Sequence, residues 1–116
     1  MSQILCRVSE IGSNGKEIVL RHGPMPVYVM LFRQQDAVRA YLNVCPHQGR
    51  QLNLAPDRFL FTPGGSLMCP HHGACFRIED GECLEGPCKG SRLRSVPVLL
   101  VDDEVRLEAA VDELIT

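Results

Sequence analysis

The sequence predicts an all-β fold, either a two-sheet β sandwich or a small barrel. Short runs of β-branched and aromatic residues alternate with Gly, Pro and Asp turn signals roughly every ten residues. The helical exception that we expect is the C-terminal stretch 108–115, where Ala109, Ala110 and Leu114 are good helix formers. The sequence shows no internal repeat beyond one duplicated Cys/His unit and no low-complexity tract.

The predicted strands follow from the N-terminus in order. Their ranges are 4–8, 17–21, 27–32, 38–44, 75–78, a short return through residue 83, 95–101 and 105–108. Gln34, Gln35 and Asp36 turn the third strand into the fourth, so residues 27–44 form a hairpin. Turns at 80–81 and 102–103 predict two more hairpins. Residues 49–67 contain Pro56 and Pro63 and are expected to form a loop that carries one short hairpin.

Composition restricts the function before any motif is considered. A chain of 116 residues predicts a single domain, residues 1–116. A net charge of −2 disfavours nucleic-acid binding. No apolar run reaches the roughly 20 residues that a membrane helix needs, and the N-terminus lacks a signal-peptide profile, so we expect a cytoplasmic protein. In that compartment six cysteines indicate metal binding more than disulfides.

Two Cys/His units carry the chemistry. The first is Cys45-Pro-His47 and the second is Cys69-Pro-His-His72, with residues 48–68 between the two units. A proline and a nearby glycine make each unit a compact turn, which directs backbone N–H groups towards negatively charged sulfur. Two thiolates and two imidazoles together provide four metal ligands.

Two kinds of metal site fit these ligands. A zinc site usually takes its cysteines as one close pair and its histidines as another, in the spacing C-x₂₋₄-C with H-x₃₋₅-H. A [2Fe–2S] centre with two cysteines on one iron and two histidines on the other requires each turn to give one ligand to each iron. The mixed pairing in this chain favours the iron–sulfur centre, and zinc remains the alternative.

The pattern C-x-H … C-x-x-H-G resembles the Rieske iron–sulfur proteins. The resemblance continues through "HGACFRIEDGECLEGP", extends more weakly over residues 3–108, and puts Pro87 in a third loop over the cluster. It implies one Rieske-type [2Fe–2S] cluster, a two-sheet β base and a cluster-binding subdomain at its tip, about residues 44–89. The ligand positions that it implies are Cys45, His47, Cys69 and His72.

Departures from the family narrow the resemblance. The Rieske proteins of cytochrome bc complexes have a disulfide between their cluster loops, and Arg50 and His71 stand where its cysteines would be. Ala74 and Phe76 replace the serine and tyrosine that donate hydrogen bonds to the cluster sulfurs. The chain is therefore similar to the soluble Rieske ferredoxins of bacterial oxygenase systems.

This resemblance implies an electron carrier and not an enzyme. Its expected partners are a flavin-dependent reductase and a terminal oxygenase or another electron acceptor. One alternative is a small Rieske subunit bound permanently in a larger oxidoreductase such as a nitrite reductase, and a less favoured one is a zinc-stabilised binding module. No 2-His-1-carboxylate iron site is recognisable, which argues against a catalytic subunit.

Several cysteines and histidines are left over after the four ligands are assigned. We expect Cys75 to be a small core residue. Cys83 and Cys88 are close enough in sequence to form a disulfide, although a cytoplasmic location favours two thiols. His71 is expected to be an exposed neighbour of the ligands, and His22 a surface residue.

Overall fold

The structure is a computed structural model that describes residues 3–46, 51–71 and 73–114. Within these ranges the chain forms antiparallel β-strands and two short 3-10 helices, Val8–Glu10 and Val111–Leu114. No helix in these ranges is long and apolar enough to cross a membrane. The strands are β1 (Gln3–Arg7), β2 (Lys16–His22), β3 (Met25–Gln34), β4 (Ala37–Leu42), β5 (Asn53–Ala55), β6 (Arg58–Phe61), β7 (Leu67–Met68), β8 (Cys75–Phe76), β9 (Cys83–Glu85), β10 (Val98–Val101) and β11 (Glu104–Leu107).

These strands make three sheets, and the predicted all-β fold is confirmed. Two sheets are three-stranded, with orders β1-β11-β10 and β2-β3-β4, and the third is five-stranded with order β5-β6-β7-β8-β9. The five-stranded sheet spans residues 53–85. This range falls within residues 44–89, whose separate status as a cluster-binding subdomain remains a prediction.

The sheet β2-β3-β4 is the middle layer, because both of its faces are buried. Along β3, Val29 and Leu31 belong to one apolar core together with residues of β1 and β11. The alternate residues Met30 and Phe32 belong to the other core, with residues of the five-stranded sheet. Successive side chains of a strand point to opposite faces, so the unbroken apolar run of β3 is what a central layer requires.

The turns follow the sequence prediction and the C-terminal helix does not. Gln35, with φ of 50°, joins β3 to β4, and Asp102, with φ of 55°, joins β10 to β11. The helix predicted at 108–115 is wrong for the described residues, which form only the 3-10 helix Val111–Leu114. The N–H of Glu108 instead donates to Pro97 O at 3.0 Å. So short a segment gains too few hydrogen bonds to offset the cost of helix nucleation.

Candidate metal centre

The first loop, residues 43–52, follows β4, and the structure describes its two ends, 43–46 and 51–52. The N–H of Val44 donates to Leu42 O at 2.9 Å, which turns the chain sharply. Val44 is then 47% exposed, whereas Cys45 is only 3% exposed. The turn therefore directs the first predicted cysteine ligand into the core.

The side chain of Asn43 ties the two ends of this loop together. Its Oδ1 accepts a hydrogen bond from the N–H of Leu52 at 2.7 Å. Its Nδ2 donates to Glu17 Oε2 and to Asn53 Oδ1, both at 2.9 Å. Asn43 is only 1% exposed, and it is the one buried polar or charged residue in the described part of the chain. This role of Asn43 is not predictable from the sequence, because an Asn at the end of a strand equally indicates an exposed turn.

The second loop, residues 69–74, connects β7 to β8. The N–H of Cys69 donates to Ala74 O at 2.7 Å, and the N–H of Gly73 donates to Cys69 O at 3.0 Å. Gly73 has a φ of 74°, a conformation that glycine adopts without strain. Cys69 is 2% exposed and His71 is exposed. The second predicted cysteine ligand is thus buried at the base of a closed hairpin loop.

The third loop, residues 86–91, follows β9 and touches the second. A Cβ placed on Gly86 would lie 2.7 Å from Ala74 Cα, so the two backbones are in direct contact. Gly86 has a φ of 102°, which again favours glycine. The N–H of Ser91 donates to Cys88 O at 2.8 Å, and the N–H of Cys83 donates to Ser91 O at 2.8 Å. The third loop therefore folds back onto β9.

Cys88 connects the third loop to the first. It is buried in the same core cluster as Cys45, Cys69 and Cys83, and its Sγ lies 3.0 Å from Cys83 Sγ. Burial raises the pKa of the Cys88 thiol to about 12, and the hydrogen bond to Cys83 and the charges of Cys83 and Cys45 act in the same direction. Closeness in sequence suggests the pair Cys83 and Cys88, whereas no local pattern suggests that Cys88 lies near Cys45.

Cys75 begins β8, and a hydrogen bond from Tyr41 holds the turn that follows this strand. Cys75 is buried, as predicted, and its Sγ contacts Gly73 O at 3.4 Å. Burial raises its pKa, and the charges of Glu85 and Cys83 add to the effect. The hydroxyl of Tyr41, itself buried, donates to the backbone oxygen of Ile78. The Tyr41 bond anchors the turn between β8 and β9 to the middle sheet.

The structure thus brings together half of the predicted ligand set. Cys45 and Cys69 lie in one buried cluster, at the ends of neighbouring loops. The predicted ligands His47 and His72 lie outside the described residues. Among the residues that are described, no three His, Cys, Asp or Glu side chains are grouped so as to hold a metal ion.

The chemistry of these donors fits a thiolate-ligated metal group. Cys45 and Cys69 are 3% and 2% exposed, so each is shielded from water and oxidants, while both lie in tight loops and not in regular strands. Soft thiolate ligands are typical of zinc and iron–sulfur sites. The burial of Cys45 and Cys69 is therefore compatible with their predicted role as thiolate ligands, which remains a prediction.

A comparison with protein families identifies the class of metal. The sequence pattern of the Rieske [2Fe-2S] domain family matches residues 1–101, and the chain belongs to this family. Its cofactor is accordingly a [2Fe–2S] cluster of the Rieske type. A search of curated proteins finds no match.

Solved structures with the same fold include three whole proteins of similar size. The chain is 20% identical to a ferredoxin of carbazole 1,9a-dioxygenase from Nocardioides aromaticivorans IC177, with a TM-score of 0.70 over 92% of this chain and 96% of that one. A Sphingomonas yanoikuyae B1 ferredoxin is 23% identical, with a TM-score of 0.70 over 95% and 100% of the two chains. A putative nitrite reductase NADPH small subunit is 20% identical, with a TM-score of 0.68 over 94% and 99%. These similarities support the fold.

Proposed function

We propose that this protein is a Rieske-type ferredoxin, a one-electron carrier that passes electrons from a flavin-dependent reductase to a terminal oxygenase or a similar enzyme. The observation that carries the proposal is the match of residues 1–101 to the Rieske [2Fe-2S] family. A ferredoxin of a dioxygenase and a second bacterial ferredoxin share the fold over 96% and 100% of their own length, which supports the carrier role. A cytoplasmic location is part of this proposal.

We assign the cluster ligands as Cys45 and Cys69 on one iron and His47 and His72 on the other. The burial of Cys45 and Cys69 in one core cluster supports the thiolate half of this set. The histidine half rests on the duplicated Cys/His spacing of the sequence. When bound, the cluster supplies one-electron exchange without proton chemistry on an organic substrate.

The chain's own residues position and protect the ligands. Asn43 holds the ends of the first loop together through its three hydrogen bonds. Gly86 of the third loop contacts Ala74 of the second, and Cys88 lies in the same buried cluster as Cys45 and Cys69. The sulfur atoms of the two predicted ligands are thus shielded from water. The described surface next to the first loop includes the exposed apolar side chains of Val44 and Leu54, so a partner can approach there without desolvating charge.

Ligand substitutions on freshly purified protein test the assignment. Cys45→Ser and Cys69→Ser should abolish the iron–sulfur absorption and lower the melting temperature, because metal binding contributes folding free energy to the loops. Cys6→Ser is a matched control, since Cys6 is also buried but lies in the other core. A Cys45→Ser protein that keeps the cluster and the melting temperature of the wild type would refute the assignment.

The second loop allows a separate test of its histidines. His71→Ala should retain the cluster and His72→Ala should lose it. The opposite result would mean that the ligand of this loop is the exposed His71. Analysis of iron, sulfide and zinc in the same samples distinguishes a [2Fe–2S] protein from a zinc-stabilised module.

A permanently bound small subunit is the second candidate. The fold shared with a putative nitrite reductase small subunit favours it as the alternative. Size-exclusion chromatography of the protein from its native cells separates the two. A free carrier elutes at its own mass of 12.9 kDa, and a bound subunit elutes with a large partner.

A further inference from the structure

We propose that Cys83 and Cys88 form a reversible disulfide that fastens the third loop over the two predicted ligand loops. Their Sγ atoms lie 3.0 Å apart, and a bonded pair requires about 2.05 Å. Bond formation therefore needs a movement of about 1 Å, within the reach of side-chain rotation.

The backbone between the two cysteines is already closed into a loop. Gly90 N donates to Cys83 O at 3.2 Å and Lys89 N donates to Gly86 O at 3.2 Å. The N–H of Cys83 in turn donates to Ser91 O, at the end of the loop, at 2.8 Å. These bonds hold the two cysteines face to face before any oxidation, so the cross-link does not require the fold to open.

The loop that the disulfide would fasten contacts the second predicted ligand loop and shares a buried cluster with the predicted cysteine ligands of both loops. Gly86 lies against Ala74 of the second loop. Cys88 lies in the same buried cluster as Cys45 of the first loop and Cys69 of the second. A bond from Cys88 to Cys83 on β9 would therefore tie the cover of the site to the five-stranded sheet. The Cys83–Cys88 bond differs in position from the disulfide that joins the two cluster loops in Rieske proteins of cytochrome bc complexes. That disulfide cannot form in this chain, because Arg50 and His71 stand where its cysteines would be.

The oxidant is a low-molecular-weight disulfide, and the reaction is thiol–disulfide exchange. Cys88 is 7% exposed and Cys83 only 1% exposed, so Cys88 attacks first, as its thiolate. Because burial disfavours that thiolate, the first step is slow. A mixed disulfide forms and one oxidant thiol leaves. The sulfur of Cys83 then attacks the Cys88 sulfur, the second oxidant thiol leaves, and the Cys83–Cys88 bond forms. The protein loses two electrons and two protons, and the oxidant takes up both pairs as two thiols.

Peptide mapping of the holoprotein tests the cross-link directly. Trypsin cuts after Arg77 and Lys89 and releases the peptide 78–89, which contains these two cysteines and no others. After treatment with oxidised glutathione, denaturation and alkylation, we expect this peptide to lack both alkyl groups. After treatment with dithiothreitol it should carry both. Recovery of the doubly alkylated peptide after oxidation, or a bond from either cysteine to Cys75 or Cys45, would overturn the proposal.

A second measurement tests the fastening of the loop. The oxidised wild type should melt about 5 to 8 °C above the reduced protein, because a short cross-link lowers the entropy of the unfolded chain. Cys83→Ser should remove this difference, and Cys75→Ser should retain it. An equal shift in Cys83→Ser would overturn the proposal.

The predicted effect of the disulfide on the rate of cluster loss rests on the proposed function, whereas the formation of the disulfide does not. Cluster loss into a chelator, followed by absorbance, should be several-fold slower in the oxidised protein than in the reduced protein. If peptide mapping shows the disulfide while both forms lose the cluster equally fast, the clamp over the ligands is refuted. Absence of any cluster, with the disulfide still formed, refutes the proposed function alone.

Discussion

Replacement of Asn43 by alanine should release the first loop without touching a predicted ligand. The amide of Asn43 is the link between the strand that enters this loop and the residues that leave it. Its three hydrogen bonds reach Leu52, Glu17 and Asn53. Alanine retains the backbone and removes every one of these bonds.

The cost of the substitution can be worked out from the partners that are left behind. Leu52 is 0% exposed, so its N–H would lose its acceptor in a place that water does not reach. A buried donor without a partner costs about 1–3 kcal/mol. The carboxylate of Glu17 still accepts a hydrogen bond from Asn53 Nδ2 at 3.1 Å. The loss of the bond between Asn43 and Glu17 therefore costs only about 1 kcal/mol of stability. We therefore expect a total of about 3 kcal/mol, acting on the opening of the first loop.

Cluster loss into excess chelator measures this opening. A change of about 3 kcal/mol corresponds to roughly a hundredfold rise in the population of the open loop and in the bleaching rate. Asn14→Ala is the matched control, because Asn14 is an exposed asparagine in a turn, and its substitution should change the rate by less than about twofold. If Asn43→Ala bleaches at the rate of Asn14→Ala, the amide does not hold the loop.

Three further predictions concern the surroundings of the site. Gly86→Ala should lower the melting temperature more than Gly90→Ala, because both glycines have positive φ but only Gly86 contacts Ala74; equal losses would contradict the contact. The Arg77 side-chain hydrogen bond and the Glu82 N–H lower the pKa of Asp80 from 3.8 to about 2, so this stabilisation is complete above about pH 4 and disappears as the pH falls towards 2. The melting-temperature gap between wild type and Asp80→Asn should close over that interval, and a gap that persists near pH 2 would refute it. The reduction potential should lie near the low end of roughly −150 to +300 mV, and Ala74→Ser should raise it in voltammetry by donating to sulfur; an unchanged potential would count against this.

Most of the strands and turns were predictable from local pattern, whereas the pairing of β1 with β11 was not predicted. The hairpin of β3 and β4 turns at Gln35, and the hairpin of β10 and β11 turns at Asp102. Both hairpins are specified by residues that are close in sequence. The short hairpin between residues 49 and 67 was also predictable and appears as β5 and β6. The helix at 108–115 was not, because helix propensity is a weak preference that the backbone contact of Glu108 with Pro97 outweighs.

The sequence by itself predicted a metal site and favoured an iron–sulfur centre over zinc, and the family match identifies the cluster type. Two Cys/His units predict thiolate and imidazole ligands, because the types of ligand and their spacing are local features of the sequence. For Cys45 and Cys69 the structure adds their burial in one cluster. The placement of His47 and His72 as ligands remains a prediction from that spacing.

Only the tertiary structure decided what supports the site. Asn43 donates to Glu17 and accepts from Leu52, and Cys88 shares a buried cluster with Cys45, across segments that no local pattern connects. The division of β3 between two cores likewise appears only when three sheets are stacked. Hydrogen bonds and burial between distant residues depend on how whole sheets pack, and that packing is a property of the complete chain.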